Sequence, residues 1–281
     1  MEEKRECEHA SSCGRESCEG CPSKTGEKTS FQVEANAYSS IGKVIGVVSG
    51  KGGVGKSFVT AAMANAMAKR GYRVGILDAD ITGPSIPKMY GIHEQAMGSE
   101  LGLLPIESSN DIKIMSLNLL VEDEETPVIW RGPVIAGTVK QFWSDVYWGE
   151  LDYLFVDMPP GTGDVPLTVF QSLPVDGIIL VTSPQELVQL IVKKALRMAE
   201  MMNIPVLGIV ENYSYITCPD CGKEISLFGK SRIDETAAEL DLPVFAKLPL
   251  NPEYAHLSDE GRFAEMNSDL FDGAAEVLRG I

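Results

Sequence analysis

The chain has 281 residues, 44% of them hydrophobic, and a net charge of −16 from 40 acidic against 24 basic side chains. That acidity argues against nucleic-acid partners, whose nonspecific binding depends on neutralising phosphates with Lys and Arg. No apolar run reaches the ~18 residues of a membrane span and no charged-then-apolar leader opens the chain, so a cytoplasmic protein without membrane association is expected.

Residues 1–40 are polar, acidic and without hydrophobic periodicity, which predicts a Cys-rich, largely flexible N-terminal extension. It carries Cys7, Cys13, Cys18 and Cys21. In a reducing compartment, clustered cysteines point to a metal site rather than disulfides. A single domain is expected over 41–281. An apolar run at 44–48 reads as a buried strand, and an Ala-rich helical pattern follows at 56–70, stopped by Gly71. Further strands are expected at 72–77, 112–117, 153–156, 177–182, 205–210 and 244–248, with helices at 184–202 and 270–278. Alternating strands and helices predict an α/β fold, a doubly wound, mostly parallel sheet with helices on both faces. Such sheets bind ligands beyond the carboxyl ends of their strands.

Between the first strand and first helix lies Gly50-Lys51-Gly52-Gly53-Val54-Gly55-Lys56-Ser57, a phosphate-binding loop in the required strand–loop–helix context. Glycines let backbone N–H groups surround a phosphate, and the helix N-terminus adds its positive end. Lys56 is expected on the β/γ-phosphates and the Ser57 hydroxyl on Mg²⁺. Asp157 ends an apolar strand, as an acid holding Mg²⁺ directly or through water should, and the Pro-Pro-Gly turn after it offers Gly161 as a γ-phosphate switch. Asp80, beyond the second strand, is expected to orient the attacking water, with Asp78 holding the loop or the Mg²⁺ shell.

Cys218-Pro-Asp-Cys221-Gly222 is half a metal site. Zinc and iron–sulfur clusters usually take four ligands. A two-fold dimer could supply two cysteines from each copy. Zinc within one chain would need ligands from the N-terminal group, and a thioredoxin-like pair would need to open a helix after its domain's first strand.

The Lys-Gly-Gly-Val-Gly-Lys-Ser loop resembles the deviant P-loop of dimeric ATPases, which implies that Lys51 reaches across a dimer interface to the partner's nucleotide. Together with Asp78-Ala-Asp80-Ile-Thr-Gly-Pro-Ser-Ile-Pro, Trp130-Arg-Gly-Pro, Pro-Pro-Gly-Thr-Gly-Asp164, Glu211-Asn-Tyr-Ser and Cys-Pro-Asp-Cys-Gly222, it resembles the Mrp/ApbC/Nbp group of iron–sulfur cluster carrier ATPases from about residue 41 onward. The resemblance implies an ATP hydrolase that acts as a homodimer. Its Cys218 and Cys221 pairs would bridge one [4Fe–4S] cluster, to be passed to apo iron–sulfur proteins, and Asn212 would read adenine. Without the family, Asn212 reads as a turn residue at a strand end. The N-terminal cysteines resemble the extension of the Nbp-type members, which holds a second [4Fe–4S] cluster. Cys18-Glu-Gly-Cys21-Pro matches locally while the other spacings do not, which leaves a cluster or zinc there. A MinD- or ParA-like positioning ATPase would need a basic C-terminus or a basic surface, and this C-terminus is acidic. A nitrogenase-iron-protein-like electron donor would carry its cluster cysteines far apart, not as Cys-x-x-Cys.

Overall fold

The computed structural model describes residues 32–80, 83, 85–121, 132–161, 163–184 and 188–281, and the main folded unit runs from Val33 to Ile281. In chain order it comprises β1 (Ser40–Ser49), α1 (Lys56–Ala68), β2 (Val74–Asp78), α2 (Ile86–Met89), β3 (Gly98–Ser99), β4 (Gly102–Leu103), β5 (Ile106–Glu107) and β6 (Lys113–Met115). Then follow α3 (Gly132–Ser144), β7 (Glu150–Asp157), α4 (Asp164–Ser172), β8 (Gly177–Thr182), α5 (Val188–Met201), β9 (Val206–Thr217) and β10 (Glu224–Ile225). The chain closes with α6 (Ile233–Glu239), β11 (Val244–Pro249), α7 (Pro252–Asp259) and α8 (Asp272–Arg279).

The sheet runs β5-β6-β2-β7-β1-β8-β9, with β10 and β11 also paired to β9. Its inner ladders are parallel, while β5–β6 and β9–β10 are antiparallel. Parallel strands covered on both faces should be apolar at every position, not alternating. β1 obeys this: Ile45 and Val47 enter one core and Val44 and Val48 the other. The first core is closed by α1, whose Ala61, Ala62, Ala64 and Ala66 are fully buried, and by Phe271, Ala274 and Leu278 from the C-terminal segment. The second takes Val139, Phe142, Val169 and Val192 from α3, α4 and α5. Small side chains on α1 permit its close approach to the sheet.

Two boundaries differ from expectation. The body reaches back to Val33, short of the boundary expected at residue 41. Val33 N–H donates to the Ser172 carbonyl at 2.8 Å, Trp143 Nε1 donates to the Val33 carbonyl at 2.9 Å, and Asn36 Nδ2 to the Leu101 carbonyl at 2.9 Å. Those contacts depend on partners far along the chain, which no local periodicity reveals. Second, β9 does not stop at residue 210 but continues to Thr217, because β11 and β10 extend the ladder on its other edge.

Candidate functional site

Register brings the acids together. Asp157 lies opposite Val47 of β1 and opposite Asp78 of β2, so both carboxyls reach the sheet's carboxyl edge where the loop 50–57 begins. Gly53 and Gly55 take φ of +77° and +82°, a region costly for any residue with a Cβ. At Gly55 a Cβ would also lie 2.2 Å from Asn212 Nδ2, so the position is closed to side chains twice over.

Lys56, opening α1, is 6% exposed. Its ammonium lies 2.8 Å from Asp157 Oδ1 and 3.4 Å from Asp80 Oδ2. Burial acts to lower its pKa, but Asp157 and Asp80 outweigh burial and hold it above the ordinary lysine value. Ser57 Oγ donates to Asp157 Oδ2 at 2.6 Å, and Thr60 Oγ1 lies 2.8 Å from Asp157 Oδ1. Asp78 is fully buried. Burial, reinforced by the Asp157 charge, raises its carboxyl to about 8 despite the opposing pull of Lys56. Its Oδ1 accepts from Asp80 N–H at 3.1 Å and its Oδ2 from Ser116 Oγ at 3.3 Å. Asp78 therefore acts from inside the fold, where its Oδ1 holds the backbone of Asp80. Of the two roles expected for it, the loop-holding one matches these contacts.

The turn after β7 hangs on β1: Met158 N–H donates to the Val47 carbonyl at 3.1 Å and Gly161 N–H to the Ser49 carbonyl at 2.9 Å, with Gly161 at φ +94°. Lys51 sits in the loop, its carbonyl accepting from Ser49 Oγ at 2.9 Å. Thus Gly50 to Ser57, Asp80, Asp157 and Gly161 all gather at one edge. A cavity of ≈320 Å³ opens there, lined by Gly52, Gly53, Gly55, Lys56, Ser57 and Asp80 among others.

Phe58, Tyr213 and Ser258 also line a second cavity of ≈250 Å³, walled by Asn212, Leu250 and Tyr254. Asn212 lies inside β9, not at a strand-end turn. Its Nδ2 donates to the Val54 carbonyl at 3.0 Å and its Oδ1 accepts from Tyr213 N–H at 3.0 Å. The aromatic wall was not anticipated from sequence. One signal for it existed: Asn251 caps α7 by accepting from Glu253 N–H at 3.0 Å, with Pro252 next, a readable helix start that delivers Tyr254 and Ser258.

Six residues beyond Asn212, Cys218 begins the turn joining β9 to β10. Gly222 N–H donates to the Cys218 carbonyl and Cys218 N–H to the Lys223 carbonyl, both at 2.9 Å. Backbone N–H groups of Cys221 and Asp220, with the Cys221 thiol, hold the Cys218 thiol below its usual pKa, the environment a ligating thiolate needs. Cys221 is exposed. Among the described residues no group of three or more His, Cys, Asp or Glu is placed to hold a metal, so the pair stands as two free thiols. Cys7, Cys13, Cys18 and Cys21, with Trp130, Arg131 and Thr162 of the family motifs, lie outside the described residues. No helix among those described is long and apolar enough to cross a membrane.

A glycine-rich loop between β1 and α1, an acid at the end of β7 and a parallel sheet define a P-loop NTPase. Residues 40–279 match the family model described as NUBPL iron-transfer P-loop NTPase, and the chain belongs to that family. It is 43% identical to an iron–sulfur cluster carrier protein of Clostridium perfringens over 91% of this chain and 93% of that one. Against the carrier protein of Methanocaldococcus jannaschii it is 47% identical, covering 87% of each. A nucleotide-binding protein of Archaeoglobus fulgidus, solved with ADP and with cobalt, is 44% identical and superposes with a TM-score of 0.75 over 83% of this chain and 91% of that one. MinD of Aquifex aeolicus, 20% identical, shares the fold with a TM-score of 0.59 over 85% of this chain and 97% of its own.

Proposed function

We propose that the protein is a cytoplasmic, ATP-dependent iron–sulfur cluster scaffold and carrier. It binds a [4Fe–4S] cluster between the Cys218/Cys221 pairs of two copies, hydrolyses ATP and passes the cluster to apo-proteins. The observation that carries this reading is one strand: β9 supplies Asn212 and Tyr213 to the cavity beside the P-loop and ends at Thr217, next to Cys218. Two thiols, Cys218 half-buried and Cys221 exposed, with no third ligand among the described residues support a site completed by a second copy.

ATP fits the joined cavities, phosphates at Gly50–Ser57 and base against Tyr254, Leu250 and Asn212. The Asn212 amide keeps a second N–H beyond the one given to Val54, so it can read the base while still bracing the loop. The hydroxyl of Ser57 and the carboxylate of Asp157 converge within 2.6 Å, a hard-oxygen pair that suits Mg²⁺, and they would hold it. Mg²⁺ would neutralise charge on the phosphates. Lys56 would exchange Asp157 for phosphate, Asp80 would orient the attacking water, Gly161 would report the γ-phosphate, and Lys51 would reach the partner's nucleotide. The N-terminal cysteines would hold a second cluster or zinc.

Cluster transfer from the anaerobically reconstituted protein to an apo-acceptor, followed with ATP, with ADP and without nucleotide, tests the proposal. Rates should differ between nucleotide states, and Cys221→Ser should lose transfer from this site. Equal rates in all three would remove ATP from the transfer step.

A further inference from the structure

Glu211 is 1% exposed, at the last position where β9 is in register with β8. Its Oε2 accepts from Ser214 Oγ at 2.6 Å and its Oε1 from Ser231 Oγ at 2.8 Å. Ser214 lies on the stem leading out to Cys218, and Ser231 on the segment returning from β10. One carboxylate thus ties both stems across the cysteine turn. Ser231 Oγ also accepts from Ile233 N–H at 3.1 Å, anchoring the return at the start of α6. Among the described residues no cation pairs with Glu211, and Lys247, its register partner on β11, turns to Asp234 instead. A buried carboxylate held by hydroxyls alone is a costly way to fasten a hairpin.

Between Glu211 and Ser214 lie Asn212, which braces the P-loop at Val54, and Tyr213, which lines both cavities. Tyr213 is held at φ +61°, a left-handed conformation unfavourable for a non-glycine residue, and one that persists only when its surroundings enforce it. Asn212 enforces it on one side and the Glu211–Ser214 contact on the other.

We infer that Glu211 is a positioning residue that couples the nucleotide cavity to the Cys218/Cys221 turn. A change at Asn212 or Tyr213 reaches Ser214 and, through the shared carboxylate, Ser231, so both stems turn together and carry the two thiols as a unit. This rests on the reading that ATP fills the cavity and a cluster sits on the cysteines.

The test uses the full chain reconstituted anaerobically with iron and sulfide, and follows cluster loss to a ferrous-iron chelator with and without ATP. In the wild type, ATP should change that rate by about 5-fold or more, the usual scale of coupling between sites. Ser231→Ala should bring the ratio near one, with iron content and ATP affinity unchanged, and Ser231→Thr should restore it. Glu211→Gln, where it folds, should lose the ratio as well. A wild-type ratio retained in Ser231→Ala overturns the inference, as does a ratio near one in a wild type that holds both cluster and ATP. A wild type that takes up no cluster, or binds no ATP, fails the functional reading itself.

Discussion

Lys56 shows how much the surroundings of a motif residue matter. The sequence assigns it to phosphate, yet the fold also sets it between Asp157 and Asp80, almost out of solvent. Lys56→Ala should abolish ATP hydrolysis and also destabilise the nucleotide-free protein by about 3 kcal/mol, since breaking a buried pair leaves an uncompensated charge. Denaturant unfolding of the variant beside the wild type measures that loss, and equal stability would mean that the pair contributes nothing to the folded state. Asp78 sets a second pH dependence. Its folded pKa of about 8 lies above the ordinary value of 3.8, so the folded state keeps a proton that the unfolded chain releases between them. The stability tied to that proton is complete below the ordinary carboxylate range and is lost as pH rises through about 8. The slope is at most about 1.4 kcal/mol per pH unit. Asp78→Asn should flatten the stability profile across that window without nucleotide; an unchanged profile would mean that Asp78 is ionised throughout.

At the scale of elements, the strands that form the sheet's centre were readable because burial on both faces demands unbroken apolar runs, as at 44–48 and 177–182. The short α2 and the helices α3, α4 and α6 were not expected, because their stability comes from packing on a sheet and not from strong local patterning. Likewise the P-loop and its acids were readable from spacing, whereas Tyr213 and Tyr254 meet only through the pairing of β9 with β11 and the start of α7. The N-terminal boundary gives a direct check. A chain starting at residue 32 should fold and bind ATP like the full chain while holding less iron. One starting at residue 41 should melt several degrees lower, having lost the bonds of Val33 and Asn36 to Ser172, Trp143 and Leu101. Equal melting temperatures would mean that residues 33–40 contribute nothing to the body. Equal iron in the full chain and the shorter ones would remove the N-terminal metal site.

At the scale of the whole molecule, one cluster shared by two chains would join the cysteine turns of both copies. Native mass spectrometry of the full chain carrying Cys7→Ser, Cys13→Ser, Cys18→Ser and Cys21→Ser, after anaerobic reconstitution, isolates the Cys218/Cys221 site. The expected species is a dimer carrying a single [4Fe–4S] cluster, lost together with the iron in a further Cys218→Ala variant. A cluster-bearing monomer, or iron content indifferent to Cys218, would contradict it.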